Sequence, residues 1–181
     1  MGREKTTLLC RMALCVAMMC ISSYIAIPLP FTGVLITAQT LVVNITSLLL
    51  RPVYALICMA VYALIGAVGL PVFSGANAGV GFLFGPNGGY VFGFIAAVFL
   101  MSILKGKKTD FKRYTLVTVL VGMPVIYFFA TAFMAFFLKK GIMTAITVLV
   151  LPFIPLDIAK CIASAYMCVK LEKILKNNNL I

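Results

Sequence analysis

The sequence predicts an all-α integral membrane protein with six transmembrane helices in a single domain, 1–181. Of the 181 residues 64% are hydrophobic and 10% are charged, and the mean hydropathy is +1.16. Soluble domains are roughly half apolar and a quarter charged. A soluble enzyme, a nucleic-acid-binding domain and a disordered chain are therefore excluded. At about 20 apolar residues per span, the length accommodates six spans with short loops and leaves no room for an aqueous domain.

The apolar segments are separated by prolines, glycines or basic clusters. We predict the spans at about 8–27, 34–50, 53–70, 90–104, 114–138 and 156–176. The first ends at Pro28 and Pro30, because proline breaks a helix. The second ends at a tight turn made by Arg51 and Pro52. The third leads into the Gly-rich segment 69–89, which contains seven of the fourteen glycines.

The last three spans are bounded by charge or by proline. The fourth leads into the hydrophilic loop 105–113, and the fifth ends at the lysines 139–140. The sixth is expected to begin just after Pro155. Residues 142–155 are apolar but short, and we predict that they lie at the outer face of the membrane. The alternative is one kinked span over 142–171.

The basic residues orient the chain. With both termini in the cytoplasm, twelve of the fifteen lie on the cytoplasmic side: Arg3, Lys5, Arg11, Arg51, Lys105, Lys107, Lys108, Lys112, Arg113, Lys170, Lys173 and Lys176. Lys139 and Lys140 then lie outside, and Lys160 lies in the membrane. Such an asymmetry at span ends is typical of orientation on anionic lipid, not of a nucleic-acid surface.

No cofactor or metal site is expected. The chain contains no histidine, and its six cysteines fall in apolar stretches without a C-x-x-C pair, so a Cys/His metal site is excluded. We interpret the cysteines as small apolar side chains between helices, although the sequence does not exclude disulfides.

Asp157 and Lys160 are the candidate site within a span. They lie three residues apart near the start of the last helix and therefore share a face. In one interpretation Asp157 caps the helix and Lys160 pairs with it. However, a lysine near a helix N-terminus opposes the helix dipole, and ionisable groups inside membranes are usually functional. The pair therefore indicates a site for a polar ligand at the outer end of the protein.

Other polar and small residues extend this prediction. The Gly-rich segment also contains apolar residues and is expected to fold inward as a lid, with Asn77 as its polar group. Gln39 could face the same cavity or form a hydrogen bond between helices. Ala13 and Ala17 form a small-x-x-x-small pair, which suits packing within the chain or docking of another membrane helix.

Five segments together resemble the BioY family of substrate-binding (S) subunits of energy-coupling-factor (ECF) vitamin transporters. They are PLP at 28–30, ITAQT at 36–40, YALIGAVGLPVF at 62–73, GPNGGY at 85–90 followed by GF at 93–94, and LPFIPLDIAK at 151–160. Each is modest alone, but they occur in order along nearly the whole chain. The family commonly has threonine where this chain has Asn87, and more glycine where it has 74–77.

The resemblance implies an S-component fold that binds biotin near the outer face of a bacterial cytoplasmic membrane. It also implies a transmembrane T subunit and two cytoplasmic ATPase subunits as partners, with Ala13 and Ala17 as the docking position. The implied ligand-binding residues are Asp157, Lys160, Asn77, Gln39, Tyr90, Phe73 and Phe31.

In this assignment each residue type matches a part of biotin. Asp157 accepts a ureido N–H, Asn77 and Lys160 donate to oxygen, and Phe31, Phe73 and Tyr90 form an apolar wall. Whether Lys160 meets the ureido oxygen or the carboxylate stays open. The alternatives are an S component for another vitamin, a small intramembrane enzyme, or a structural or pore-forming protein.

Overall fold

Helices dominate the structure, a computed structural model that describes residues 2–28, 35–138, 143, 146–147 and 150–177. These residues form seven helices and one β-hairpin. The helices are α1 (Gly2–Ser22), α2 (Gln39–Leu49), α3 (Pro52–Ala67), α4 (Val80–Leu83), α5 (Gly88–Leu104), α6 and α7 (Ile154–Asn177). Helix α6 is continuous over Phe111–Val117, a π-helical turn Thr118–Gly122, and Met123–Leu138.

Six of the seven helices overlap the six predicted spans; the other, α4, is a four-residue helix within the Gly-rich segment that the sequence did not predict. In the described part of the chain, Lys5–Ser22 and Phe111–Phe137 are long and apolar enough to cross a bilayer. Helices α2, α3 and α5 are apolar but shorter. The charges of Asp157, Lys160 and the basic C-terminal turns lower the hydropathy of α7.

The connection between the first two predicted spans differs from expectation. We predicted helix up to residue 27 and again from residue 34, but α1 ends at Ser22 and α2 begins at Gln39. Between them β1 (Ala26–Pro28) pairs antiparallel with β2 (Leu35–Thr37). Proline cannot continue a helix, and the β-branched residues around it favour extended backbone. The hairpin therefore replaces the ends of both predicted spans.

The last helix begins earlier than predicted. Helix α7 starts at Ile154, so that Pro155 lies in its first turn, where the missing proline N–H has no helical partner to lose. Asp157 is thus inside the first turn and does not cap the helix. Most of the predicted outer segment 142–155 lies outside the described residues; its end, 150–153, forms a turn before α7.

Close packing around α2 and α5 holds the bundle together. Helix α2 packs against α1, α5 and α7, while α5 packs against α3 and α6. Gly89 and Gly93 lie directly against the backbone of α6, and a side chain at Gly93 would come within 3.1 Å of the Ile126 Cα atom. Small residues at such positions let two helix backbones approach closely. The six cysteines are all free.

Candidate ligand-binding site

A cavity of about 250 Å³ opens where the hairpin, the Gly-rich segment and the first turns of α2, α5 and α7 meet. The described residues around it are Leu35, Thr37, Gln39, Thr40, Tyr62, Ser74, Asn77, Phe82, Asn87, Tyr90, Val91, Phe94, Ile126, Tyr127, Phe153, Asp157 and Lys160. In the orientation predicted from the basic residues, this is the outer end of the protein. Eight of these seventeen residues are polar or charged and the others are apolar or aromatic, and a pocket that combines apolar walls with convergent polar groups is typical of a small-molecule site.

The Asp157 carboxylate is the buried charge at this cavity. Its Oδ1 atom accepts hydrogen bonds from Lys160 Nζ at 2.9 Å and from Thr40 Oγ1 at 3.3 Å. Its Oδ2 atom accepts one from the Tyr127 hydroxyl at 2.7 Å. The Asp157 side chain is 7% exposed, so these bonds replace water that the carboxylate has lost. A buried charge is tolerated when it is paired and hydrogen-bonded in this way.

Lys160 directs its ammonium group at protein acceptors. Besides Asp157 Oδ1, its Nζ atom donates to the Thr37 carbonyl oxygen at 2.9 Å and to Thr40 Oγ1 at 3.1 Å. An ammonium has three protons, and these three contacts account for all of them. Lys160 therefore ties the start of α7 to the hairpin and α2. The i,i+3 pairing predicted from the sequence is present.

Gln39 lines the cavity and also makes the alternative contact considered from the sequence, a hydrogen bond between helices. Its Nε2 atom donates to the Tyr62 hydroxyl at 2.7 Å, and Tyr62 in turn donates to the Val72 carbonyl at 3.1 Å. Thr37 Oγ1 donates to Gln39 Oε1 at 3.3 Å. Gln39 is 2% exposed. This chain of bonds connects α2, α3 and the start of the Gly-rich segment.

Two residues that line the cavity each carry a buried polar atom with no hydrogen-bond partner among the described residues. The two atoms are the Tyr90 hydroxyl oxygen and Asn87 Oδ1, both at the start of α5. An unpaired buried polar group costs about 1–3 kcal/mol. The resemblance assigns Tyr90 to the apolar wall, but its hydroxyl is a buried polar group without a hydrogen-bond partner among the described residues.

The Gly-rich segment folds into the protein beside the cavity. Phe73 is fully buried behind the wall: it stacks on Phe82, with ring centroids 5.0 Å apart, and meets Tyr62 edge-on at 5.7 Å. Its ring lies against Gly66 of α3, where a side chain would collide with it. Phe82, not Phe73, is therefore the aromatic residue of this pair that lines the cavity.

Asn77 lies in a tight loop of this segment. The backbones of Phe73 and Asn77 bond to each other in both directions, at 2.9 and 3.2 Å. Gly75 has a φ of +72°, which favours glycine, and its N–H donates to the Ser23 carbonyl at 3.2 Å. The Asn77 amide donates to the Ser74 carbonyl at 2.7 Å. Asn77 lines the cavity but is exposed, so it lies at the mouth.

The remaining predicted residues lie elsewhere. Phe31 falls outside the described residues. Ala13 and Ala17 are both exposed on α1, away from the cavity. They are accompanied by exposed apolar side chains on the same helix, including Leu14 and Met18. This surface is suited to lipid or to another membrane helix.

Three residues of the site, Tyr127, Thr40 and Asn87, are not among those predicted from the sequence. Thr40 lies within the ITAQT segment, and Asn87 within GPNGGY, so their positions in recurring motifs were an available signal. Tyr127 had none, because it is one of many aromatic residues in a long apolar span. A π-helical turn also precedes it in α6.

Comparison with known proteins gives the family. The family model described as the BioY family matches residues 2–177. The chain belongs to the BioY family. It is 34% identical to the biotin transporter BioY of Thermotoga maritima over 161 residues, which cover 87% of this chain and 91% of that protein. It is also 34% identical to the probable biotin transporter BioY of Pyrococcus horikoshii, over 76% of this chain and 80% of that one.

A solved structure shares the fold. The crystal structure of the S-component for biotin from an ECF-type ABC transporter matches with a TM-score of 0.86 and 27% identity, over 96% of this chain and 94% of that one. The family resemblance expected from the five segments is thereby confirmed. BioY is a family of transporter components and not of enzymes, and the chain is accordingly a membrane protein of that class.

Proposed function

We propose that this BioY protein is the biotin-binding S subunit of an ECF-type vitamin uptake transporter in a bacterial cytoplasmic membrane. The observation that carries the proposal is the buried Asp157–Lys160 pair at a cavity of about 250 Å³. A charge held in a mostly apolar pocket inside a membrane protein is expensive, and a polar ligand gives a reason for keeping it.

The polar groups of the cavity suit the ureido ring of biotin, which offers two N–H donors and one carbonyl acceptor. The Asp157 carboxylate accepts three hydrogen bonds from the protein and has capacity for about one more, which a ureido N–H can supply. The Tyr90 hydroxyl can donate to the ureido oxygen. Asn87 Oδ1 can accept the second N–H. Lys160 then acts by holding Asp157 in place, since its protons already have acceptors.

The apolar parts of biotin are matched by the remaining walls. Phe82, Val91, Phe94 and Ile126 offer carbon surface for the thiophane ring and the valeryl chain. Gln39 supports this wall through Tyr62. The flexible chain of biotin leads its carboxylate toward the mouth, where Asn77 is exposed to water. Phe73 supports this wall by holding Phe82 in position, and Phe31, which lies outside the described residues, stays a further apolar contact implied by the family resemblance.

We further propose six spans, α1, α2, α3, α5, α6 and α7, with both termini in the cytoplasm. The 11-residue α2 is short for a span, at about 16 Å. The hairpin strand before it adds about 10 Å, which brings this segment close to the roughly 30 Å of a hydrocarbon core. The placement of twelve basic residues at one side supports the orientation.

The partners in this proposal are a transmembrane T subunit and two cytoplasmic ATPase subunits on separate chains. Biotin is the ligand, and no cofactor is involved. Exposed Ala13 and Ala17 allow a second helix to approach α1 closely, and this supports their assignment as the docking position.

Uptake of labelled biotin by a biotin-auxotrophic host tests the proposal. Cells expressing this chain with the T and ATPase subunits should accumulate biotin, and excess unlabelled biotin should prevent the accumulation. Riboflavin and thiamine in the same excess should not compete. Competition by another vitamin and not by biotin would reassign the substrate, and no ligand-dependent uptake by well-expressed protein would refute the transport function.

A further inference from the structure

Tyr127 forms a hydrogen bond to Asp157, although it has no part in the contacts proposed above for biotin. Its hydroxyl donates at 2.7 Å to Oδ2 of Asp157, whereas the other two donors to this carboxylate, Lys160 and Thr40, both bond to Oδ1. Among the described residues Tyr127 is thus the one hydrogen-bond donor to Oδ2. The terminal torsion of an aspartate is broad, so donors on a single oxygen leave the plane of the carboxylate free to turn. A donor on each oxygen fixes it.

A π-helical turn precedes Tyr127 in α6 and shifts the face on which it lies. In a regular helix each residue turns by about 100°. The nine steps from Thr118 to Tyr127 would then place Tyr127 on the face of the helix opposite Thr118. The π-helical turn Thr118–Gly122 accommodates one extra residue and sets the following helix back by about 100°. Pro124 has no N–H for the carbonyl of Leu120, which favours such a turn.

The π-helical turn is closely packed against α5. Gly122 lies against the Met101 side chain of α5, and a side chain at this position would collide with it. Tyr127 itself packs against Phe153, as do Ile36 and Tyr90. The Tyr127 hydroxyl contacts Asp157 from α6, whereas Lys160 lies on α7 and Thr40 on α2.

We propose that Tyr127 is a positioning residue for the ligand site, which turns the Asp157 carboxylate so that its remaining acceptor position faces the cavity. The inference rests on the proposed function, because the ligand that meets this acceptor is biotin through a ureido N–H. Tyr127 acts through Asp157: its one hydroxyl proton is used in the bond to Oδ2.

A pair of matched variants tests this role. Tyr127→Phe removes the hydroxyl and keeps the ring. Tyr114→Phe makes the same change on the same helix at the other end of the protein, where the hydroxyl donates to Glu172 Oε1 at 2.8 Å. A hydrogen bond from a ureido N–H to the Asp157 carboxylate corresponds to roughly a tenfold change or more in Kd, and it is lost when the carboxylate turns away. We expect Tyr127→Phe to weaken biotin binding by about tenfold and Tyr114→Phe to leave it within about twofold.

A spectroscopic readout separates positioning from general destabilisation. The chain has just two aspartates, Asp110 and Asp157, so ¹³C labelling of the aspartate carboxyl carbon gives two NMR signals, which Asp110→Asn assigns. Tyr127→Phe should displace the Asp157 signal even without biotin. Tyr114→Phe should leave both signals in place.

The outcomes distinguish this inference from the proposed function. A wild-type protein that is folded and does not bind biotin overturns the proposed function, and the positioning role falls with it. Wild-type binding with an unchanged affinity in Tyr127→Phe overturns the positioning role alone. So does a weakened affinity with an unmoved Asp157 signal, because Tyr127 would then act by contact or packing. Weakened binding together with a displaced Asp157 signal supports the inference.

Discussion

Asp157→Asn is the substitution that most directly tests how the cavity works. The new amide keeps nearly the same shape but replaces one charged acceptor oxygen by an NH₂ group that cannot accept the bonds made in the native protein. Three donors are aimed at the carboxylate, from Lys160, Thr40 and Tyr127. Whichever oxygen is lost, at least one of them faces an amide donor, and the negative charge is gone.

The expected loss in affinity follows from these contacts. A hydrogen bond from a neutral N–H to a carboxylate contributes about 1.5–3 kcal/mol, which corresponds to a change in Kd of roughly tenfold to 150-fold. The free energy of unfolding should also fall. The Lys160 side chain is 18% exposed, and in this variant its ammonium group has lost the carboxylate with which it pairs. Removing one partner of a buried ion pair costs roughly 3–5 kcal/mol.

The assay is a calorimetric titration of biotin into detergent-purified protein, accompanied by a thermal unfolding measurement with and without biotin. Asp110→Asn is the matched control. Asp110 is exposed and caps the start of α6 by accepting from the Lys112 N–H at 3.1 Å, and asparagine caps a helix equally well. The control should therefore bind biotin normally. A Kd for Asp157→Asn within threefold of the wild-type value, in protein that is folded, would refute the reasoning.

Three further substitutions have defined outcomes. Lys160→Met should weaken biotin binding by roughly tenfold or more in the same titration, because Asp157 loses the cation that holds its Oδ1 atom. Gly66→Ala should also weaken it and lower the unfolding temperature, because the new methyl group displaces the Phe73 ring that supports the cavity wall. Lys105→Met should lower stability by about 1–3 kcal/mol without changing biotin affinity, because it removes the ammonium that donates at 2.6 Å to two backbone carbonyls at the end of α2.

Matched controls make these outcomes specific. Gly81→Ala places a methyl group in open space within α4 and should change neither the affinity for biotin nor the unfolding temperature. Lys108→Met removes an exposed lysine of the same loop as Lys105 and should leave stability unchanged. Equal effects of Gly66→Ala and Gly81→Ala would contradict the supporting role of Phe73. Weaker biotin binding in Lys105→Met would contradict the separation of that end of the protein from the cavity.

The main part of the site was predictable because it depends on local spacing. Asp157 and Lys160 lie three residues apart on one helix, and an ionised pair inside an apolar span stands out in any reading of the sequence. The Gly-rich segment was equally visible, and the structure places it beside the cavity as expected. Gln39 shows the limit of such reasoning, since both of its predicted roles are present at once.

The features that could not be predicted from the sequence depend on departures from regular helix geometry. The hairpin around Pro28 requires pairing with Leu35–Thr37, and nothing in an apolar run specifies that partner. A π-helical turn in α6 shifts the face on which Tyr127 lies relative to the residues before the turn, and a constant period of 3.6 residues per turn does not include that shift. The short α4 likewise forms within a segment whose glycines favour loops.

A direct binding measurement tests the central claim, that this cavity holds biotin. Biotin is titrated calorimetrically into purified wild-type protein, with riboflavin and thiamine titrated in parallel. The account predicts saturable one-to-one binding of biotin, no heat from the other two vitamins, and loss of at least tenfold in affinity in Asp157→Asn. Folded, monodisperse protein that gives no biotin binding, or that binds riboflavin or thiamine in its place, would contradict it.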